Sequence, residues 1–295
     1  MRISAGSIAA WVAAAALAAL TGPAPAQAPA VQGDAWVLGQ APENCYISRS
    51  IDADGQKAEV LIQSFGMTTP YHVVVRSPAL PLLPQRAEVA QVRFGSALPS
   101  KDTYAILGKW NGVGTAVFAV SWHDVGQYGE IYYYQGAVAQ TAATIDRSAQ
   151  VLSLQVPNSG PLTFQLGDMT GAIDRLDACT RALEAKWSAA ASAGATVATQ
   201  PELLHPGEAN WHMKYPNVAL LNLISGMTEV RMTVDEKGRA RDCVVQVSTW
   251  LPQFGEDSCE ALKTVARFKP AHDAQGNPVK ALFRASIIFI NYHWS

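Results

Sequence analysis

Residues 215–234 read YPNVALLNLISGMTEVRMTV, and the chain continues through DEKGRARDCVVQVS (235–248), SCEALKTVARF (258–268) and LFRASIIFINY (282–292). The pattern changes period three times, and those changes set the order of elements. Pro216 suits the first turn of a helix, where its missing N–H costs nothing and its φ is preset. Tyr215 before it is pushed towards an extended conformation. The apolar run Val218–Ile224 then closes near Gly226. From Glu229 to Val234 the pattern alternates, so Val230, Met232 and Val234 share one face of a strand. Asp235 to Gly238 is a turn signal, with Gly238 free to take positive φ.

A second extended run follows, and Cys243, Val245 and Val247 share one of its faces. In the next stretch Cys259, Leu262 and Ala266 recur at helical spacing, which turns one stripe towards the sheet. After Lys269-Pro270-Ala271 and a polar turn at Gly276-Asn277-Pro278, the apolar run from Leu282 to Tyr292 is the last strand. The expectation is an αββαβ unit with a three-stranded antiparallel sheet.

This ordered set resembles the C-terminal domain of TonB energy transducers. The positions that carry the resemblance are Tyr215-Pro216, Ala219, Gly226, Val230, Val234, Gly238, Val245, Val247-Ser248, Ala261, Val265, Arg267-Phe268, Pro270-Ala271, Gly276, Pro278-Val279 and Phe289. In that family the last strand is a sheet edge that accepts an extended peptide from an outer-membrane transporter. The resemblance therefore implies a peptide-binding edge along Phe283, Ala285, Ile287, Phe289 and Asn291. Two family features have no counterpart. Residues 1–30 contain no His of the kind that couples a retained anchor to a motor, and no long Pro-rich charged spacer is present.

At the start of the chain, Arg2 precedes an apolar run from Ile8 to Leu20, and Ala26-Gln27-Ala28 has the form of a cleavage site. Residues 1–28 read as a signal peptide, because the apolar run falls short of the ~20 residues of a spanning helix. The expected location is the periplasm. A net charge of -2, with no basic run, argues against nucleic-acid binding.

Four cysteines in an exported chain point to disulfides, for which three connectivities exist. Cys243–Cys259 is expected because the inward face of a strand meets the inward stripe of its covering helix. Cys45–Cys179 is expected within the preceding domain. No cofactor is read from the sequence, and no close Cys/His cluster suggests a metal.

Residues 34–187 form that preceding domain, to which no family is assigned. Short β-like runs recur at Cys45–Ile51, Ala58–Ser64, Tyr71–Arg76, Val89–Phe94, Tyr104–Trp110, Thr115–Val120, Glu130–Tyr134, Val151–Val156 and Leu162–Leu166. Asp54-Gly55, Asn111-Gly112 and Asn158-Ser159-Gly160-Pro161 mark turns between neighbouring strands. The spacing predicts a sandwich or a curled antiparallel sheet. One helix, from about Asp168 to Trp187, closes the domain with Ile173, Leu176, Cys179, Ala182 and Leu183 on one face. Residues 188–210, rich in Ala, Ser, Gly and Thr, read as a flexible linker to the 211–295 domain.

Chemical motifs are sparse. Ser121, His123 and Asp124 lie close in sequence, but a catalytic triad is assembled from distant segments. Asp52-Ala53-Asp54-Gly55 lacks the spacing and closing Glu of a calcium loop. Tyr132-Tyr133-Tyr134 reads as strand packing, and Trp211-His212 as a linker end. Three readings follow. One is a periplasmic binding or adaptor protein of outer-membrane transport, acting by strand addition. Another is a structural envelope protein whose edge is capped by dimerisation. The third is an enzyme with a TonB-like docking module. The first is preferred, with no catalytic residue assigned, because a long, nearly uncharged edge calls for a partner strand.

Overall fold

The computed structural model describes residues 35–53, 56–121, 131–133, 143–144, 146–205 and 213–291. The expected signal peptide, the Asp54-Gly55 turn, Trp122–Asp124, Tyr134, Trp211-His212 and Tyr292 lie outside the described residues.

The first part of the chain is strand after strand: β1 (Val37–Ala41), β2 (Asn44–Ala53), β3 (Gln56–Ser64), β4 (Tyr71–Arg76), β5 (Arg86–Phe94), β6 (Lys101–Trp110), β7 (Val113–Ser121), β8 (Ile131–Tyr133), β9 (Ala143–Thr144), β10 (Val151–Gln155) and β11 (Leu162–Gln165). All but β8 join one sheet in the order β1-β2-β3-β4-β7-β6-β5-β10-β11, with β9 added beside β7. Neighbours along that path are antiparallel, as local hairpins require. Asn111 and Gly112 turn β6 into β7 with φ of 49° and 78°, the mirror-image turn that matches strand twist.

The sheet curls until its two ends meet. Trp36 Nε1, just before β1, donates to the carbonyl of Leu166 at 3.0 Å, and Arg49 on β2 donates to the same oxygen at 2.5 Å. Inside the curl lies α1 (Thr170–Ser192). Its Ala172, Ile173, Leu176 and Leu183 pack with Ile47, Val60, Ile62, Val73, Phe118, Leu152 and Phe164 from the sheet's inner face. Ala182, expected on this stripe, is exposed, and Asp177 and Thr180 are buried instead. Both polar groups are satisfied: Tyr71 donates to Asp177 at 2.6 Å, and Thr180 bonds back to the Leu176 carbonyl at 2.9 Å. Cys45 of β2 and Cys179 of α1 are disulfide-bonded, tying the helix across the sheet.

Residues 188–210, read as a linker, carry regular structure at 188–192 and 202–204, with irregular chain between. α1 runs on to Ser192, and β12 (Glu202–Leu204) later pairs with a strand near the C-terminus. Ala-rich sequence is a good helix former, so the composition that suggested a loop also lengthens α1.

The C-terminal part is the expected helix, two strands, helix and strand. It comprises α2 (Asn217–Leu221), β13 (Gly226–Val234), β14 (Ala240–Ser248), α3 (Gln253–Thr264), β15 (Arg267–Lys269), β16 (Ala271–His272), β17 (Pro278–Val279) and β18 (Ala281–Phe289). β13 lies between β14 and β18, antiparallel to both, and α3 covers one face. Tyr215 closes the entry: its hydroxyl donates to the Ile224 carbonyl at 2.6 Å, and its ring meets Phe254 and Phe289 edge-on. Gly238 takes φ of 69°, and a Cβ there would fall 1.9 Å from the Phe268 carbonyl oxygen, so the turn admits no side chain. The Cys243–Cys259 disulfide joins β14 to α3 with Cα atoms 5.6 Å apart.

Asp235 organises the β13–β14 turn. Its carboxylate accepts the N–H groups of Lys237 and Arg239 at 3.0 and 2.9 Å and both Nε and Nη2 of Arg241. Burial pushes its pKa up, but the Arg239 N–H, the Arg241 guanidinium and the Lys237 N–H outweigh burial and hold it below the ordinary aspartate value. A lowered folded pKa stabilises the fold fully above ~pH 4 and loses that contribution as pH falls through the folded value. Asp235→Asn is therefore expected to lower the urea midpoint at neutral pH, with the gap to the parent closing in acid. A gap independent of pH would contradict this assignment. Replacing Cys243 and Cys259 by Ala is expected to cost about 3 kcal/mol in denaturant unfolding, from the entropy of the short loop they close.

Candidate functional site

The three C-terminal strands make a sheet with two distinct faces, because side chains alternate along each strand. One face belongs to α3. Val230, Met232 and Val234 of β13 and Ala285, Ile287 and Phe289 of β18 are buried there with Phe254, Cys259 and Leu262. Phe283 packs against the same core and meets Phe268 edge-on at 4.8 Å. The opposite face carries Met227, Glu229 and Arg231 of β13 and Arg284, Ser286 and Ile288 of β18.

That second face lies on the outer face of the curled sheet. Met227, Ile288 and Ile290 form a buried cluster with Ile106, Val117 and Ala119 of β6 and β7. Polar contacts surround the cluster. Glu229, with no exposed surface, places Oε1 2.7 Å from His72 Nε2 on β4, and the Ser286 hydroxyl donates to the same oxygen. Arg231 grips Glu43 through two hydrogen bonds, at 2.7 and 2.9 Å, with its guanidinium 4.9 Å from the centre of the Trp187 ring. Arg284 donates to Glu184 of α1 at 2.5 Å and to Thr68 at 3.0 Å. Gln246 of β14 donates to the carbonyls of Glu43 and Phe65, and the Ser225 N–H to that of Gln85.

The remaining feature is the outer edge of β18. A fourth strand pairs with it: β8 runs parallel, with Ile131, Tyr132 and Tyr133 opposite Ser286, Ile287 and Ile288. On the Ala281–Ala285 side, no strand among the described residues covers that edge. Glu130–Tyr134 was expected in the first sheet, and its described residues lie in this one instead. Periodicity reports that a segment is a strand but not which edge it joins.

Of the residues expected along the edge, Phe283, Ala285, Ile287 and Phe289 lie on β18, where their side chains serve the α3 core. Asn291 lies beyond the strand, which ends at Phe289; its N–H donates to Ser225 Oγ at 3.1 Å. Sequence reasoning missed Glu229, His72 and Ser286. Glu229 looks like the polar position of a half-solvated strand, and nothing local marks it as buried. Arg284, the lone charge within the apolar run, was the available signal that a polar partner waits on that face.

Residues 211–290 match the family described as Gram-negative bacterial TonB protein C-terminal. This part of the chain is a TonB C-terminal domain. The match agrees with the resemblance carried by Tyr215-Pro216, Gly238, Arg267-Phe268 and Phe289. A comparison with curated proteins returns no match. The TonB C-terminal domain thus keeps its helix-covered core and gives its other sheet face to the curled sheet. The Glu229–His72 contact is the most sheltered part of that surface, and removing one partner of such a pair leaves a buried group unsatisfied. His72→Leu is expected to cost about 3–5 kcal/mol in chemical unfolding. His72→Leu with Glu229→Leu should recover most of that loss; equal losses for the single and double variants would show that the contact carries no coupling.

Proposed function

We propose that this protein is an exported envelope protein whose TonB C-terminal domain binds an extended segment of an outer-membrane transporter by strand addition along β18. The observation that carries the reading is the added strand itself. The outer edge of β18 already takes β8 as a partner, so its backbone groups there can form a ladder with an added strand. On the neighbouring stretch Ala281–Ala285, no strand among the described residues pairs with the outer side of β18.

Other features support the reading. Two disulfides suit an oxidising compartment such as the periplasm. No helix among the described residues is long and apolar enough to cross a membrane. The role is binding rather than bond-making. The contact that joins Ser286, Glu229 and His72 has both hydrogen bonds on one carboxylate oxygen and all three groups buried, so it serves as packing rather than as a site open to substrate.

The test is a titration of the full chain with TonB-box peptides of outer-membrane transporters from the same cell, followed by calorimetry and amide shifts. Binding is expected with shifts concentrated in Ala281–Phe289. Absence of binding up to ~1 mM, or shifts confined to the curled sheet, would remove the strand-addition reading.

A further inference from the structure

The edge of β18 is closed unevenly. β8 covers Ser286–Ile288, while Ala281–Ala285 has no strand beside it among the described residues. β8 also breaks the pattern of its own surroundings. β7 before it and β9 after it pair with each other in the curled sheet, at Val120↔Ala143 and Ser121↔Thr144. Between them the chain contributes three residues to the other sheet. A three-residue strand forms few ladder hydrogen bonds and sits at the low end of local stability. Its position is nonetheless specific, because an apolar edge left bare is a template for unwanted pairing.

We propose that β8 is a built-in cap on the accepting edge. It stands in for the partner strand, and the partner enters along Ala281–Ala285 and then displaces β8 from Ser286–Ile288. The proposal rests on the strand-addition reading of β18. It gives the edge two states that exclude each other, one paired within the chain and one paired with a partner. A cap of this kind scales the apparent affinity by the fraction of time the edge is open, so a cap closed nine parts in ten costs about tenfold.

Successive N–H groups of a strand point to opposite sides. Tyr132→Pro combined with Tyr133→Pro therefore removes whichever of the two donates to β18, and the rigid rings disfavour the ladder. The probe is a labelled synthetic peptide with this chain's own residues 129–135, GEIYYYQ. The full-length double variant is expected to bind it at least about tenfold more tightly than the parent, with amide shifts at Ser286–Ile288. Equal affinity, or no binding to the variant, overturns the cap. Hydrogen exchange on the unaltered chain gives a test that does not depend on the variant's folding. The outward-facing amides within Ser286–Ile288 should exchange more slowly than those within Ala281–Ala285, and equal rates overturn the cap. A variant that takes the GEIYYYQ peptide but no transporter segment would keep this inference and remove the transporter reading. Transporter segments binding parent and variant alike would do the reverse.

Discussion

A carboxylate with no solvent contact must find its partners inside the protein, and Glu229 finds them on two strands that are far apart in sequence. His72 comes from β4 of the curled sheet and Ser286 from β18, so the contact exists only when the two sheets lie face to face. The apolar cluster of Met227, Ile288 and Ile290 with Ile106, Val117 and Ala119 supplies the driving force for that arrangement. The polar groups set its register, since burying them without each other would carry a large desolvation cost. Arg231 with Glu43 and Arg284 with Glu184 repeat this logic nearer the surface, where screening makes each pair weaker.

This docking explains why the TonB C-terminal domain has two faces of different character. Under α3 the sheet is apolar and braced by the Cys243–Cys259 disulfide. On the other side it mixes apolar and charged residues, because there it meets the outer face of the curled sheet rather than its own core. The preceding domain has its own brace, Cys45–Cys179, which holds α1 inside the curl. Each disulfide lies within one of the two parts, and the contacts between the parts are noncovalent. Both faces of the sheet are thus in use within the chain.

Much of the fold was legible in the sequence. Period-2 runs located each expected strand, because a strand with one buried face must alternate. Tyr215-Pro216, the Asp235–Gly238 turn and the stripe Cys259, Leu262 and Ala266 marked the ends and the inward sides of the C-terminal elements. The short strand β1 carried too little alternation to be seen, and β12 lay in a stretch whose composition suggested a loop. On α1, Ala182 looked like a core position and is exposed, whereas Asp177 is buried because Tyr71 reaches it. A hydrogen-bond partner more than a hundred residues away leaves no trace in local periodicity.

The amino-acid order by itself marked most of the elements, most of their inward faces and the kinship of residues 211–290, since these rest on a linear pattern, while it left three cysteine connectivities open. The three-dimensional arrangement decided the rest. It placed the face bearing Glu229 and Arg231 against the curled sheet and moved residues 131–133 from one sheet to the edge of another. Among the described residues, it placed a strand beside Ser286–Ile288 of β18 and none beside Ala281–Ala285. Those outcomes depend on which surfaces meet, and surface complementarity is a property of folded faces, to which residues distant in sequence contribute together.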